Sequence, residues 1–429
     1  MKVLVVGSGG REHTLVWKLR QSNKVKKIFA APGNAGIGLI AQTVKIQADD
    51  IEGLINFVKK NHIELTVVGP EAPLVAGIVD EFQKRKLRIF GPTKTAAELE
   101  GSKSFSKEFM RKYHIPTAPF QVFTSASEAI SFIKSAAMPL VIKADGLAAG
   151  KGVMIARDFD EAVEIIDSIL VHKKFGAAGD KIIVETFLEG QEVSVMAFTD
   201  GRNIRMMLPS QDHKQIGEGD TGPNTGGMGA YCPARFIDEM TMDFIREHIL
   251  EPTVSGMEKE GRLYKGVLYA GLILTEAGPK ALEFNCRFGD PETQAVLPLL
   301  KTDLFNLCKL CAEGNLSSIE SLEWHAGAAA CVVLASKGYP EKPEIGKKIF
   351  GLRNYSDMKC QLFHAGTRKD GRNWISTGGR VVSVTGVDRD LQSALSRAYE
   401  VIGNIKFDGM VFRSDIGFKA NMQVKPIGI

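Results

Sequence analysis

Pro139-Leu-Val-Ile-Lys-Ala-Asp-Gly-Leu-Ala-Ala-Gly-Lys-Gly-Val-Met-Ile-Ala156 sets a glycine-rich loop between two short apolar runs. Pro139 to Lys143 and Gly152 to Ala156 both read as strands. Gly146 to Gly152 has the look of a phosphate loop, yet it is one residue short of a Walker A and has no Ser or Thr after Lys151. Its setting is strand-loop-strand instead of strand-loop-helix, which argues against a P-loop NTPase. Glycines beside Lys151, Gly150 among them, suit a flap whose amides close over nucleotide phosphates; a solvated hairpin tip is the plainer alternative. Lys143 ends an apolar strand, where an unpaired ammonium is costly, so it calls for an anion.

Downstream, a helix over 160–171 precedes strands at Lys181 to Glu185 and Glu192 to Thr199. The pattern is an antiparallel pair, a helix and a second pair. The connector Val184-Glu-Thr-Phe-Leu-Glu-Gly-Gln-Glu192 leaves a strand where backbone groups can read an adenine edge, with Glu192 placed to accept from ribose hydroxyls. Each of these residues also has a simple salt-bridge reading.

Upstream, residues 1 to about 102 alternate strand and helix: Lys2 to Val6, Glu12 to Gln21, Lys27 to Ala30, Ile51 to Asn61 and Leu65 to Val68. Such alternation implies a parallel sheet with crossover helices. Gly7-Ser-Gly-Gly-Arg-Glu12 begins like a dinucleotide fingerprint, but Glu12 fills the third glycine position. The second strand runs into Pro32-Gly33, where a ribose-binding acid is wanted, so a nicotinamide cofactor is disfavoured. Ser102 reads as the N-cap of a helix from Lys103 to Tyr113. From Ala326 onward, short strands and a helix over 390–402 suggest an α+β domain.

Glu283 and Asn285 stand two apart on a strand, so their oxygens share a face, with Arg287 at the same spacing. Oxygen ligands of this kind suit Mg²⁺; a lysine partner for Glu283 and a turn cap by Asn285 are the structural alternative. Cys308 and Cys311 form a lone C-x-x-C in a helical stretch, without the second pair that a zinc site needs. Core thiols are expected there.

The 429 residues suggest about three domains on a prior of roughly 150 residues each. A net charge of +4 from 54 basic and 50 acidic residues is too small and too evenly spread to argue for nucleic acid. No window approaches a membrane span, and the N-terminus enters a strand without a signal-peptide pattern, so a cytoplasmic protein is expected.

Lys103, the Lys143 strand, the flap at 146 to 152, the connector from Glu185 to Glu192 and Glu283-Phe-Asn285 follow the order and spacing of the ATP-grasp superfamily. Two stretches narrow the match: Gln211-Asp-His-Lys214 with Gly219-Asp-Thr-Gly-Pro-Asn-Thr-Gly-Gly-Met-Gly-Ala-Tyr231, and Asn285-Cys-Arg-Phe-Gly-Asp-Pro-Glu-Thr-Gln294. With them the chain resembles the glycinamide ribonucleotide synthetase family from Met1 to about Gly417.

The resemblance implies a multidomain α/β and α+β protein. A parallel α/β domain (pre-ATP-grasp) is expected over 1–102. An ATP-grasp catalytic domain with a small lid at about 121–192 follows over 103–325, and an α+β domain over 326–429. It implies ligation of glycine to 5-phosphoribosylamine with ATP as co-substrate and Mg²⁺ or Mn²⁺, in de novo purine synthesis, by a monomer or weak homodimer that binds neither nucleic acid nor membrane.

By the same resemblance Lys103, Lys143, Gly150 and Lys151 hold nucleotide phosphates, Glu185, Phe187 and Leu188 frame adenine, and Glu192 takes the ribose. Glu283 and Asn285 bind the metal, and Arg287 steadies the transferred or substrate phosphate. Asn224, Thr225, Gly226, Gly227 and Met228 offer amides to a carboxylate, Asp212 is the candidate base, and Gly9, Gly10, Glu71 and Lys280 receive the phosphoribosyl half. The strand from Lys265 to Thr275 carries no acid, although many ATP-grasp enzymes place a metal carboxylate there.

Overall fold

A computed structural model describes residues 1–148, 152–355 and 359–421. β1 (Lys2–Gly7) lies at the centre of a parallel sheet with β2 (Lys27–Pro32), β3 (Gln42–Thr43), β4 (Leu65–Val68) and β5 (Ile89–Phe90). The strand order is β3-β2-β1-β4-β5. Val3 and Val5 enter one core while Leu4 and Val6 enter another, which is why this strand reads as an unbroken apolar run. Both cores continue into the rest of the molecule, one through Phe284 and Val382, the other through Phe288 and Cys331.

β6 (Phe120–Phe123), β7 (Leu140–Ala144), β8 (Val153–Ala156) and β9 (Ile182–Thr186) form an antiparallel sheet in the order β6-β9-β7-β8. Helices Ala126–Ile133 and Phe159–Ile166 cover it, and Ile142, Val184, Ile133 and Ile166 share a core separate from the other two. The glycine-rich loop joins β7 to β8, with Lys143 opposite Val153.

One expectation is corrected here: the strands at 181–185 and 192–199 are not partners. β9 pairs with β6 and β7, whereas β10 (Gln191–Thr199) pairs with β11 (Ile204–Met206) in a third sheet. Gly190 makes the change of sheet; its φ is +156° and a Cβ there would collide with the Leu274 carbonyl oxygen.

The chain then forms β12 (Gln211–Asp212), a hairpin of β13 (Gln215–Gly217) and β14 (Thr221–Asn224), β15 (Gly229–Cys232), β16 (Gly266–Thr275) and β17 (Gly278–Asn285). The third sheet runs β11-β10-β16-β17. Tyr269 stands opposite Asn285 and Gly271 opposite Glu283, so β16 presents no acid beside the proposed metal pair.

The last strands are β18 (Ala328–Ser336), β19 (Lys348–Ile349), β20 (Cys360–His364), β21 (Thr367–Asp370), β22 (Asn373–Ser376), β23 (Arg380–Asp388) and β24 (Met410–Val411). β12, β15, β18, β23 and β20 make one sheet in that order, with β24 also on β18. Hydrogen bonding therefore crosses the expected boundary at 325 and 326, since β15 pairs with β18 from Gly229↔Val332 to Cys232↔Ala329.

Cys308 and Cys311 lie buried on helix Leu304–Glu313, where burial pushes both thiols up. Among the described residues no helix is long and apolar enough to cross a membrane.

Candidate active site

Ser102 caps helix Lys103–Lys112 by accepting from the Phe105 amide at 3.2 Å, as its position before Lys103 predicts. The cap ties the helix to the start of the glycine-rich loop, because Asp145 accepts from the Ser104 amide at 2.6 Å. Lys103 then donates to the Gly146 carbonyl at 3.1 Å. Burial lowers the Lys103 ammonium, against the opposing pull of Glu283.

Lys143 finds its anion inside the protein. Its ammonium donates to Glu185 Oε2 at 3.0 Å and to the Leu282 carbonyl at 3.2 Å. Lys107, one helical turn after Lys103, meets the same oxygen at 3.0 Å. Burial, with Lys143 adding repulsion, pulls Lys107 down to about 8. Glu185 Oε1 is buried and has no hydrogen-bond partner among the described residues. A buried acceptor in this state is costly unless a ligand donates to it.

These groups form one wall of a cavity of about 690 Å³, to which Phe187 and Leu188 contribute from the connector. Glu192 also lines it, in an ion pair with Lys214. Glu283 and Asn285 face the same space from β17. Burial alone would raise Glu283, but Lys214, Lys143, Lys103 and Arg287 together hold its carboxyl below the ordinary range. Asn285 Oδ1 accepts from Arg287 Nη2 at 3.1 Å, which sets the direction of that oxygen. Two oxygen donors in a cationic, phosphate-sized pocket fit a hard divalent ion that takes its remaining ligands from water and nucleotide.

Arg287 also meets Glu100 at 2.9 Å and Glu71 at 3.3 Å. Arg11 reaches the Phe288 carbonyl at 3.1 Å, and Glu71 lies 4.0 Å from it. The first sheet's helices thus meet the end of β17 through a mixed-charge cluster.

Asp212, Asn224, Thr225, Gly226, Asp290, Glu292, Tyr339 and Arg380 also line the cavity. Burial pushes Asp212 up to about 7; Lys214 opposes the shift, while Glu292 and Glu192 add to it. Glu292 Oε1 accepts from Tyr269 at 2.9 Å and from Ser194 at 3.1 Å.

The loop from Asn224 to Met228 departs from its expected use. The Thr225 amide donates to the Lys214 carbonyl, Gly226 to the Tyr339 hydroxyl, Gly227 to Thr225 Oγ1 and Met228 to the His213 carbonyl. All four amides are committed internally, so the loop shapes the cavity more than it offers free donors.

Gly227, Met228, Gly9, Gly10 and Lys280 are not among the residues that line this cavity. The Gly9 amide is already bound to Glu12 Oε2 at 2.5 Å, so the acid in the third glycine position fills the turn itself. Gly150 and Lys151 lie outside the described residues.

The remaining residues assigned from sequence converge: Lys103, Lys143, Glu185, Phe187, Leu188, Glu192, Asp212, Asn224, Thr225, Gly226, Glu283, Asn285, Arg287 and Glu71 share one cavity. Residues not singled out from sequence are Arg11, Glu100, Lys107, Lys214, Asp290, Glu292, Tyr339 and Arg380. The helical spacing from Lys103 pointed to Lys107, and Lys214 and Glu292 sit within quoted motifs. Tyr339 and Arg380 had no local signal.

Three family domains match the chain in order. They are the phosphoribosylglycinamide synthetase N domain over residues 1–100, its ATP-grasp (A) domain over 101–293 and its C domain over 329–419. The chain belongs to the phosphoribosylglycinamide synthetase family. A phosphoribosylamine–glycine ligase of Caldanaerobacter subterraneus subsp. tengcongensis is 51% identical over 417 residues, covering 97% of this chain and 99% of that one. The human trifunctional purine biosynthetic protein adenosine-3 is 49% identical over 98% of this chain, which spans 42% of that longer protein.

The crystal structure of the phosphoribosylamine–glycine ligase of Thermotoga maritima superposes with a TM-score of 0.85 at 34% identity, covering 97% of this chain and all of that one. A 2-oxoglutarate carboxylase biotin carboxylase domain of Hydrogenobacter thermophilus, solved with MgADP, shares the fold at 15% identity and a TM-score of 0.75. ATP-grasp membership makes ATP the phosphoryl donor of this family.

Proposed function

We infer that the chain ligates glycine to 5-phosphoribosylamine, converting ATP to ADP and phosphate and giving glycinamide ribonucleotide in purine synthesis. The observation that carries this reading is that, in a member of this family, one cavity is lined both by Lys103, Lys143, Glu283 and Asn285 and by Asp212 and Glu292.

A carboxylate is a poor electrophile, so activation precedes bond formation. A glycine carboxylate oxygen takes the γ-phosphoryl group and ADP departs. The phosphoribosylamine nitrogen then attacks the glycyl carbon, the C–N bond forms, the acyl C–O bond breaks, and phosphate leaves as nitrogen loses a proton. No protein nucleophile is needed, and the work is positioning and charge stabilisation.

Lys103 and Lys143 are assigned to the nucleotide phosphates, Phe187 and Leu188 to the adenine faces, and Glu192 to the ribose. Glu185 Oε1 offers an acceptor on the adenine side. Mg²⁺, or Mn²⁺ in its place, held by Glu283 and Asn285 would neutralise phosphate charge and orient the transferred group. Arg287 and Glu71 are assigned to the phosphoribosyl side of the cavity.

Purified protein with MgATP should release ADP only when glycine and freshly generated phosphoribosylamine are both present. Equal release with D-alanine, with bicarbonate or with no acceptor would overturn the reading.

A further inference from the structure

We propose that Asp212 and Glu292 together form an ammonium anchor, the subsite that makes the acceptor an α-amino acid instead of any small carboxylate. The proposal rests on the ligase reading above and names what selects its amino-acid substrate.

The two acids come from distant parts of the chain, Asp212 from β12 and Glu292 from the segment after the metal strand, and both line the cavity. They are 9% and 3% exposed. Glu292 is held in place, since the Ser194 and Tyr269 hydroxyls both donate to its Oε1, at 3.1 and 2.9 Å. Neither hydroxyl carries a compensating charge.

Asp212 is the more telling member. Its nearest cation is Lys214 Nζ at 4.0 Å, beyond hydrogen-bond range, and no other residue's side chain donates to its carboxylate among the described residues. Lys214 is instead drawn onto Glu192. Asp212 and Glu192 therefore share one lysine, while Glu292, in contact with neutral hydroxyls, feels Arg287 and Arg380 only through space. A buried carboxylate without a close cation is relieved by a proton or, when it is ionised, by a cation that joins it.

An organic cation fits this pair. An ammonium with three N–H donors suits two carboxylates approaching from different elements. An α-amino acid also carries its carboxylate beside that ammonium, and Lys214 lies close enough to act on both Asp212 and Glu283. The zwitterion would thus lie with its ammonium on Asp212 and Glu292 and its carboxylate toward the phosphoryl donor. Asp212 in this account holds substrate and does not take the proton lost during amide formation.

Two measurements on the full-length protein test this. Glycine binding to the MgADP-loaded protein would be followed by calorimetry, alongside glycolate, which replaces the ammonium with a hydroxyl. Asp212→Asn and Glu292→Gln should each weaken glycine binding and raise its KM by about 10- to 100-fold, the range expected when a hydrogen bond to a charged group is lost. The KM for ATP should stay within about twofold, and glycolate binding should change little.

Unchanged glycine affinity in both variants overturns the anchor. So does a fall in kcat at unchanged glycine KM, which would mark proton transfer. If Glu292→Gln fails to fold, Asp212→Asn decides. Failure of the ligase reading is separate: it shows as no acceptor-dependent ADP release from the wild type.

Discussion

Glu283 illustrates how one side chain is set for its role by charges from several elements. Lysines from β7, from the start of helix Lys103–Lys112 and from position 214 keep it ionised despite burial. Replacing it by Gln keeps the shape and removes the charge that a divalent ion needs. Glu283→Gln should lower kcat by about 100-fold or more, the scale of losing one electrostatic contact to a transition state, and the deficit should shrink at high Mg²⁺. A wild-type rate across a Mg²⁺ titration would leave the residue a structural role only. Asp212 makes a different prediction, because its folded value of about 7 lies above an unfolded one near 3.9. The folded chain keeps the extra proton between those values, so this group's contribution to stability is lost as pH rises through that window. Asp212→Asn should therefore melt higher than wild type at pH 8, by about 2 °C or more, with a smaller gap at pH 5. A gap independent of pH would mean that Asp212 is not the group that titrates.

The connector between β9 and β10 shows what an element adds beyond its residues. It carries Phe187 and Leu188 on the cavity wall and passes the chain from one sheet to another through Gly190. Because the Leu274 carbonyl lies against that glycine, Gly190→Ala has to shift the connector. The substitution should cost about 1–3 kcal/mol in thermal or denaturant unfolding, as overpacking does, and raise the KM for ATP more than that for glycine. Equal changes in both KM values would mean that the strain spreads through the whole cavity. The same connector marks where sequence reasoning runs out. The strands 182–186 and 191–199 were legible from their apolar runs, and helix Lys103–Lys112 from its Ser102 cap. Which sheet each strand joins is decided by partners far along the chain, and adjacency in sequence suggested a pairing that does not occur. Lys143 was legible because an ammonium that ends an apolar strand needs a partner, Glu283 because it shares a strand face with Asn285, and Glu185 through the family resemblance. That Lys143 and Glu185 would partner each other was not, since 42 positions separate them.

At the scale of the whole molecule, the cavity is completed by the C-terminal strands. Tyr339 accepts from the Gly226 amide at 2.8 Å, and Arg380 donates to the Gly226 carbonyl at 2.5 Å and to the Asp290 carbonyl at 2.8 Å. Arg380 also meets the Asp290 carboxylate at 3.2 Å. Gly226 is thereby gripped on both its amide and its carbonyl by side chains more than 100 positions away, a link no local pattern announces. The hydrogen-bond ladder points the same way, because β15 finds its partner β18 beyond position 325. A chain ending at 325 would leave β15 with an open edge and apolar cores cut through Ala330, Cys331 and Val382. Exposed edges and split cores favour association over folding. Residues 1–325 alone should therefore show no cooperative thermal transition and rapid cleavage by a low dose of protease, while the full chain unfolds cooperatively. A cooperative transition in that fragment near the full-length Tm, with glycine binding retained, would show that the C-terminal strands are an attached domain and not part of the wall that holds the substrate loop.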